Sequence, residues 1–326
     1  MQILLVKLSS LGDVIHNFPV ATDIRRQFPR AVIDWATDAT YASLAAMHPA
    51  VRRVIPIHLR GLKKSWWQPR QYAQLFDDKA ALTRERYDLI IDTQGLVKSA
   101  LVANWANGDI AGYDKHSIRE PLATRYYTHQ YTVSRREHAV ARNRALAAMS
   151  LKFTHHADCD YGLSIAGNNT PSSPSSPTSP YAVLLHATSR QDKTWPIPAW
   201  VALGRALNRD GIKVILPSGN AAEYVTSEQI AQQLDNAEAI NAMPLPETAA
   251  MLGQAKLVVG VDTGLTHLAV ALNRPTVGIY LTTSPQLTGL YASTSNDAVI
   301  NLGGGSRHHA ANVSVEDVLV KLKLST

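Results

Sequence analysis

The chain has 326 residues, 45% of them hydrophobic and 18% charged, with a formal net charge of +6 and one cysteine, Cys159. At roughly 100–200 residues per domain this length predicts two domains, and the composition excludes a mostly disordered chain. No apolar run reaches the roughly 18 residues of a membrane span, Ile3–Val6 is too short for a signal-peptide core, and a lone cysteine excludes disulfide stapling, so the chain reads as a globular protein of a reducing, cytoplasmic compartment.

In the first half, short β-branched or leucine-rich runs predict strands at Gln2–Lys7, Ala31–Trp35, Val54–Ile57, Leu89–Asp92 and Asp109–Gly112. Apolar residues at helical spacing predict helices over Val14–Gln27, Gln71–Arg86, Leu96–Asn107 and His138–Met149. The stretch from Gly167 to Pro180 is built from Pro, Ser, Thr, Asn and Gly; it cannot pack a core and reads as a linker. Beyond it, strands are expected at Ala182–His186, Lys213–Leu216, Leu257–Val261, Thr276–Tyr280 and Val299–Asn301. Helices are expected over Pro198–Arg209, Ala221–Leu234, Pro246–Gln254, Leu265–Leu272 and Val315–Lys323. Alternating strands and helices predict an α/β protein with one parallel sheet per half, two Rossmann-like domains (1–166 and 181–326) facing across a cleft. Ligands then belong at the carboxyl ends of the strands.

Charge divides unevenly between these halves. Residues 1–166 carry 22 Lys and Arg against 15 Asp and Glu, a net of +7, while 167–326 carry 10 against 11, a net of −1. An anionic partner for the first half follows, unless the surplus only keeps the protein soluble. The segment Arg60-Gly61-Leu62-Lys63-Lys64-Ser65-Trp66-Trp67 mixes cations that hold phosphates or carboxylates with tryptophans suited to a membrane interface. No helix-turn-helix, zinc-finger or RRM signature supports nucleic acid as the partner.

The loops after the strands narrow the chemistry. Leu8-Ser9-Ser10-Leu11-Gly12-Asp13 has one glycine where a dinucleotide-binding turn needs three, and no P-loop occurs anywhere, so nicotinamide, flavin and P-loop chemistry are not expected. Asp13 reads either as a helix N-terminal cap or as a general base at the mouth of the cleft. In Asp262-Thr263-Gly264-Leu265-Thr266-His267, the glycine and the following helix start suit a phosphate, with His267 one turn in. Alternatively Asp262 or Thr263 merely caps that helix and His267 is a buried structural histidine. Lys193 follows the first strand of the same half and offers a point charge to the same phosphate, or is simply solvated. Adjacent pairs His155-His156 and His308-His309 and the Asp158-Cys159-Asp160 triplet are poor metal signals, and no metal or cofactor is expected.

Taken together, five ordered stretches resemble glycosyltransferase family 9, the heptosyltransferases. They are Lys7–Val14, Asp92–Ala100, Arg119–Ala123, His186–Pro196 and Val261–Leu268. The Ser9-Ser10 turn is similar to the first-heptose branch rather than the second, where a tryptophan-containing turn is usual. The resemblance implies a GT-B fold with an N-terminal acceptor domain and a C-terminal donor domain, the last helix packing back on the first domain. It implies metal-independent transfer, with inversion, of heptose from ADP-L-glycero-β-D-manno-heptose to the first Kdo of Kdo2-lipid A in the lipopolysaccharide inner core. The implied location is the cytoplasmic face of the inner membrane, bound peripherally. By the same resemblance Asp13 is the base, and Thr188, Ser189, Lys193, Glu223, Met243, Asp262, Thr263, Gly264 and His267 bind the donor. Arg60, Lys63, Lys64, Arg119 and Arg142 would contact the acceptor. Gly61, Ser218 and Leu281-Thr282-Thr283-Ser284-Pro285 depart from the family pattern at positions that bear on donor and acceptor choice. A related transferase with another donor or acceptor, and a non-catalytic binder of phosphorylated glycans, are the alternatives.

Overall fold

A computed structural model describes residues 1–59, 69–163, 179–188, 190–292, 298–306 and 308–324, with the backbone alone at 69–71. The chain divides into two compact units, Met1–Leu163 and Ser164–Thr326. Most of the expected linker, 167–178, lies outside the described residues.

The first unit is a six-stranded parallel sheet of β1 (Gln2–Val6), β2 (Val32–Asp38), β3 (Val51–Ile57), β4 (Leu89–Asp92), β5 (Ile110–Tyr113) and β6 (His129–Tyr131), in the order β3-β2-β1-β4-β5-β6. The second unit repeats the plan with β7 (Tyr181–Leu185), β8 (Lys213–Pro217), β9 (Ala237–Ile240), β10 (Leu257–Val261), β11 (Thr276–Tyr280) and β12 (Val299–Gly303), in the order β12-β11-β10-β7-β8-β9. Strands β1 and β7 lie inside their sheets, β1 between β2 and β4, β7 between β10 and β8. Ile3, Leu4, Leu5 and Val6 are all fully buried, because crossover helices cover a parallel sheet on both faces. Strand order reverses beside β1 and β7, so the loops leaving β1 and β4, and those leaving β7 and β10, splay apart and open a crevice at the carboxyl edge of each sheet.

Of the four edge strands, β6 and β9 have no counterpart among the expected strands. His129-Gln130-Tyr131 is largely exposed and Ala237-Glu238-Ala239-Ile240 only partly buried, so neither forms the apolar run by which an interior strand is recognised. The expected helix Val14–Gln27 is two helices, α1 (Leu11–Ile15) and α2 (Phe18–Gln27), because Pro19 cannot donate and its ring clashes with a continuing turn. In the second unit Trp195 and Trp200 meet edge to face at 4.9 Å in a core that includes Leu184, Val214, Val259 and Val277. The last helix, Val315–Leu322, buries Val318 and Leu319 in that same second-unit core. Its two faces explain this: Val318 and Leu319 are buried, while Glu316, Asp317, Val320 and Lys321 are exposed. No helix among the described residues is long and apolar enough to cross a membrane.

Candidate active site

In the first unit, β1 runs into Lys7-Leu8-Ser9-Ser10 and then α1. Ser10 is the N-cap residue, and Asp13 Oδ2 accepts both the Ser10 N–H (2.8 Å) and the Ser10 hydroxyl (3.0 Å), the reciprocal half of a capping box. The capping reading is therefore realised, yet it engages one carboxylate oxygen. Oδ1 has no hydrogen bond among the described residues, and the side chain is half-exposed. Capping thus occupies one oxygen of the carboxylate and leaves the other without a hydrogen-bond partner among the described residues.

The loop after β4 supports this turn. Asp92, fully buried, accepts from Tyr127 Oη (2.7 Å), Ser99 Oγ (2.8 Å), Gln94 N (2.9 Å) and Gly95 N (3.3 Å). Burial pushes its carboxyl upward, against these donors. Gln94 Oε1 accepts from Leu8 N (2.6 Å) and Ser9 N (3.2 Å), Gln94 Nε2 donates to the Ser9 carbonyl, and Lys98 Nζ donates to Ser9 Oγ (2.8 Å). Beneath them, buried Lys7 donates to the Thr93 carbonyl at 2.8 Å; burial lowers its basicity, partly offset by the negative charges of Asp13 and Asp92. Arg142 stacks 4.8 Å over the Tyr113 ring and donates to the Ser117 carbonyl (2.8 Å), while its buried Nε has no partner among the described residues. Arg119 is exposed. Arg60, Lys63 and Lys64 lie outside the described residues.

In the second unit, the ends of β7, β10 and β11 bring four side chains together. Asp262 Oδ2 accepts from Lys193 Nζ (2.6 Å) and Thr283 Oγ1 (2.8 Å), and His267 Nε2 stands 3.8 Å from Oδ1. Burial alone would raise the Asp262 carboxyl, but His267, Lys193 and Thr283 outweigh it and hold it well below the usual carboxylate range. Thr263 is the N-cap of helix Gly264–Ala271, so the first backbone N–H groups of that helix open beside the cluster. Thr266 binds the Val261 carbonyl (2.8 Å) and fixes that start against the strand. Thr263 occupies the N-cap position without a side-chain cap bond, so the capping possibility is not realised; His267 is buried, as the structural alternative has it, and Lys193 is ion-paired rather than solvated.

The remaining donor candidates are more dispersed. Glu223 Oε2 accepts from Gly219 N (2.7 Å) and Oε1 from Asn220 Nδ2 (2.7 Å), anchoring the N-terminus of helix Ala221–Ala231. Thr188 and Met243 are half-buried, and Ser189 lies outside the described residues. Of the departing positions, Ser218 holds the edge of β9 by donating to the Ile240 carbonyl (2.8 Å). The contact of Thr283 with Asp262 was missed in sequence; the signal was that β11 adjoins β10, whose end carries Asp262. The positions of Gln94 and Lys98 against Ser9 were missed as well, although both stand in the Asp92–Ala100 stretch. No group of three or more His, Cys, Asp or Glu placed to hold a metal ion occurs among the described residues.

Two Rossmann-like units, each with its polar cluster at the carboxyl edge of a parallel sheet, are the parts of a GT-B glycosyltransferase. The model of glycosyltransferase family 9 (heptosyltransferase) matches residues 78–321. Lipopolysaccharide heptosyltransferase 1 of Escherichia coli K12 is 38% identical over 324 residues, covering 99% of each chain. The Pseudomonas aeruginosa protein of the same name is 40% identical over 293 residues, covering 89% of this chain and 81% of that one. Among solved structures, E. coli heptosyltransferase WaaC with ADP superposes with a TM-score of 0.90 at 35% identity, covering 99% of both chains. The same enzyme with ADP-2-deoxy-2-fluoro heptose gives 0.87 at 34%, again over 99% of both. The chain belongs to glycosyltransferase family 9 and is a heptosyltransferase of lipopolysaccharide synthesis.

Proposed function

We propose that the protein transfers L-glycero-D-manno-heptose from ADP-heptose to the first Kdo of Kdo2-lipid A, with inversion, Asp13 acting as base. The free Oδ1 of Asp13 carries the assignment: the cap orients the carboxylate through one oxygen and leaves the other to accept the acceptor's hydroxyl proton. As the acceptor's hydroxyl oxygen, losing its proton to Oδ1, attacks the anomeric carbon, the bond to the diphosphate breaks and ADP leaves from the opposite face. Lys193 and the N-terminus of helix Gly264–Ala271 neutralise the charge that develops on the diphosphate, with Asp262, Thr263 and His267 around it. Thr188, Ser189, Glu223 and Met243 complete the donor contacts; Glu223 retains lone pairs for ribose hydroxyls beyond its two capping bonds. Arg60, Lys63, Lys64, Arg119 and Arg142 face the Kdo carboxylates and lipid A phosphates, in the half of net charge +7.

The test is acceptor-dependent ADP release from ADP-heptose and Kdo2-lipid A by wild type, Asp13→Asn and Asp13→Ala. Asp13→Asn keeps an oxygen for the Ser10 donors but cannot take a proton, so its rate should fall by about 10²–10⁴-fold with little change in stability. Asp13→Ala should lose the same rate and about 1 kcal/mol from the lost cap. Wild-type turnover by Asp13→Asn would overturn the base assignment, and no release by the folded wild type would overturn the substrates.

The same reading places the protein peripherally on the cytoplasmic face of the inner membrane, through the cations and tryptophans of residues 60–67. Co-sedimentation with vesicles containing anionic lipid, lost at high salt and in a Trp66→Ala/Trp67→Ala variant, is expected. Absence of binding at low salt would refute it.

A further inference from the structure

The Asp92–Ala100 stretch has a conspicuous structure and no role in the chemistry above. It is wound around one buried carboxylate: Asp92 takes four hydrogen bonds, two of them from the backbone of Gln94 and Gly95. Gly95 adopts φ +68°, and a Cβ there would stand 3.0 Å from Ile118 Cγ1, so the turn admits little else. The result fixes the direction in which Gln94 leaves the sheet. Its amide then makes three hydrogen bonds to the backbone of Leu8 and Ser9, the residues that precede the N-cap of the Asp13 helix. A primary amide suits this position because it presents an acceptor and a donor side by side, matching two N–H groups and one carbonyl.

We propose that Gln94 is a positioning residue for the transfer reaction, clamping the Leu8–Ser9 backbone so that the helix beginning at Leu11 holds Asp13 Oδ1 toward the acceptor hydroxyl. The inference rests on Asp13 as the base. Displacement of a catalytic group by about 1 Å costs on the order of 10²-fold in rate, and a clamp of three bonds one residue before the N-cap is where such a displacement is prevented.

Gln94→Leu preserves bulk and removes all three bonds. Steady-state kinetics should show kcat lowered by about 10²-fold with KM for ADP-heptose within about twofold of wild type, because the donor cluster lies in the other unit. Gln94→Glu separates positioning from folding. When protonated, the introduced carboxyl reproduces one donor and one acceptor; when ionised it sets a negative oxygen against the Ser9 carbonyl. The ratio of its kcat to that of wild type should therefore climb as pH falls from 8 to 5.5. The charged groups around the introduced carboxyl are Lys7 at the end of β1, Asp13 on α1, Asp92 on its own loop, Lys98 and Glu120 around helix Val97–Ala103, and Arg142, which acts on Lys7 from helix Ala139–Leu151. All are common to wild type, so the ratio isolates the new group.

A folded Gln94→Leu with kcat within threefold of wild type overturns the proposal. If that variant does not fold, a ratio for Gln94→Glu that is flat with pH overturns it. Failure of the underlying reading looks different: Asp13→Asn would then turn over like wild type. An inactive Asp13→Asn beside an unimpaired Gln94→Leu sinks the clamp alone.

Discussion

Asp262 is the residue around which the second unit's cluster is arranged. Its Oδ2 takes both the Lys193 ammonium and the Thr283 hydroxyl, so Lys193 is held by a carboxylate that its neighbours keep ionised. A flexible lysine fixed in this way loses less entropy on meeting a phosphate than a solvated one would. Lys193→Met should lower kcat/KM by about 10²–10³-fold, the range for removing one stabilising donor at developing charge. Lys193→Arg should recover only part, since a planar fork does not replace a point charge. Thr283→Val should have a smaller effect, raising donor KM several-fold through a looser Asp262 while leaving the unfolding midpoint nearly unchanged. Equal losses in Thr283→Val and Lys193→Met would mean that the hydroxyl itself meets the donor.

At the scale of elements, the Asp262 cluster depends on how closely helix Gly264–Ala271 approaches β10. A Cβ on Gly260 would stand 2.3 Å from Thr266 Oγ1 and 3.0 Å from Leu185 Cβ, where Thr266 now bonds the Val261 carbonyl. Gly260→Ala should therefore push the helix start off the strand, costing about 1–3 kcal/mol as an overpacked core does and weakening ADP binding. Urea unfolding and ADP titration of the variant check both parts; unchanged ADP affinity would show that the helix start is not a donor contact. Such packing also marks what the sequence revealed and what it hid. Interior strands were legible because both faces of a parallel sheet are buried, so Ile3–Val6 and Leu257–Val261 read as apolar runs. Of the edge strands, β3 and β12 were legible in Val54–Ile57 and Val299–Asn301, but β6 and β9 were not, since their residues are mixed and at best partly buried. The break between α1 and α2 is signalled by Pro19, although apolar residues continue on both sides of it. Asp13, Lys193 and Asp262 were legible from their places after strands, helped by resemblance to a family. The hydrogen bonds of Gln94 and Thr283 were not, because they join loops that meet only when β1 pairs with β4 and β10 with β11.

On the scale of the molecule, the two units share a topology but differ in charge, and in the first unit a buried histidine gives its stability a dependence on pH. His48 is 1% exposed, packed 5.6 Å from the Phe18 ring, under the backbone of Gly162. Its Nδ1 accepts the Ala50 N–H at 3.1 Å, so the ring proton is on Nε2 and is donated to Thr22 Oγ1 at 3.0 Å. Both nitrogens are used by the neutral ring, and a second proton would expel Ala50. Burial, reinforced by Arg25 and opposed by Asp160, lowers its pKa from 6.5 to about 4. The unfolded chain then binds a proton that the folded one refuses between those values. His48 contributes its full share above pH 6.5, and that share is lost as pH falls toward 4, a penalty of roughly 3 kcal/mol. His48→Gln removes the titration while keeping a polar group for Thr22. Hydrogen exchange of peptides from Met1–Leu163 should show wild type losing about 3 kcal/mol more than this variant between pH 7 and pH 4, with peptides from the second unit indifferent to the substitution. Parallel pH profiles for the two proteins would mean that the ring is protonated within the folded unit.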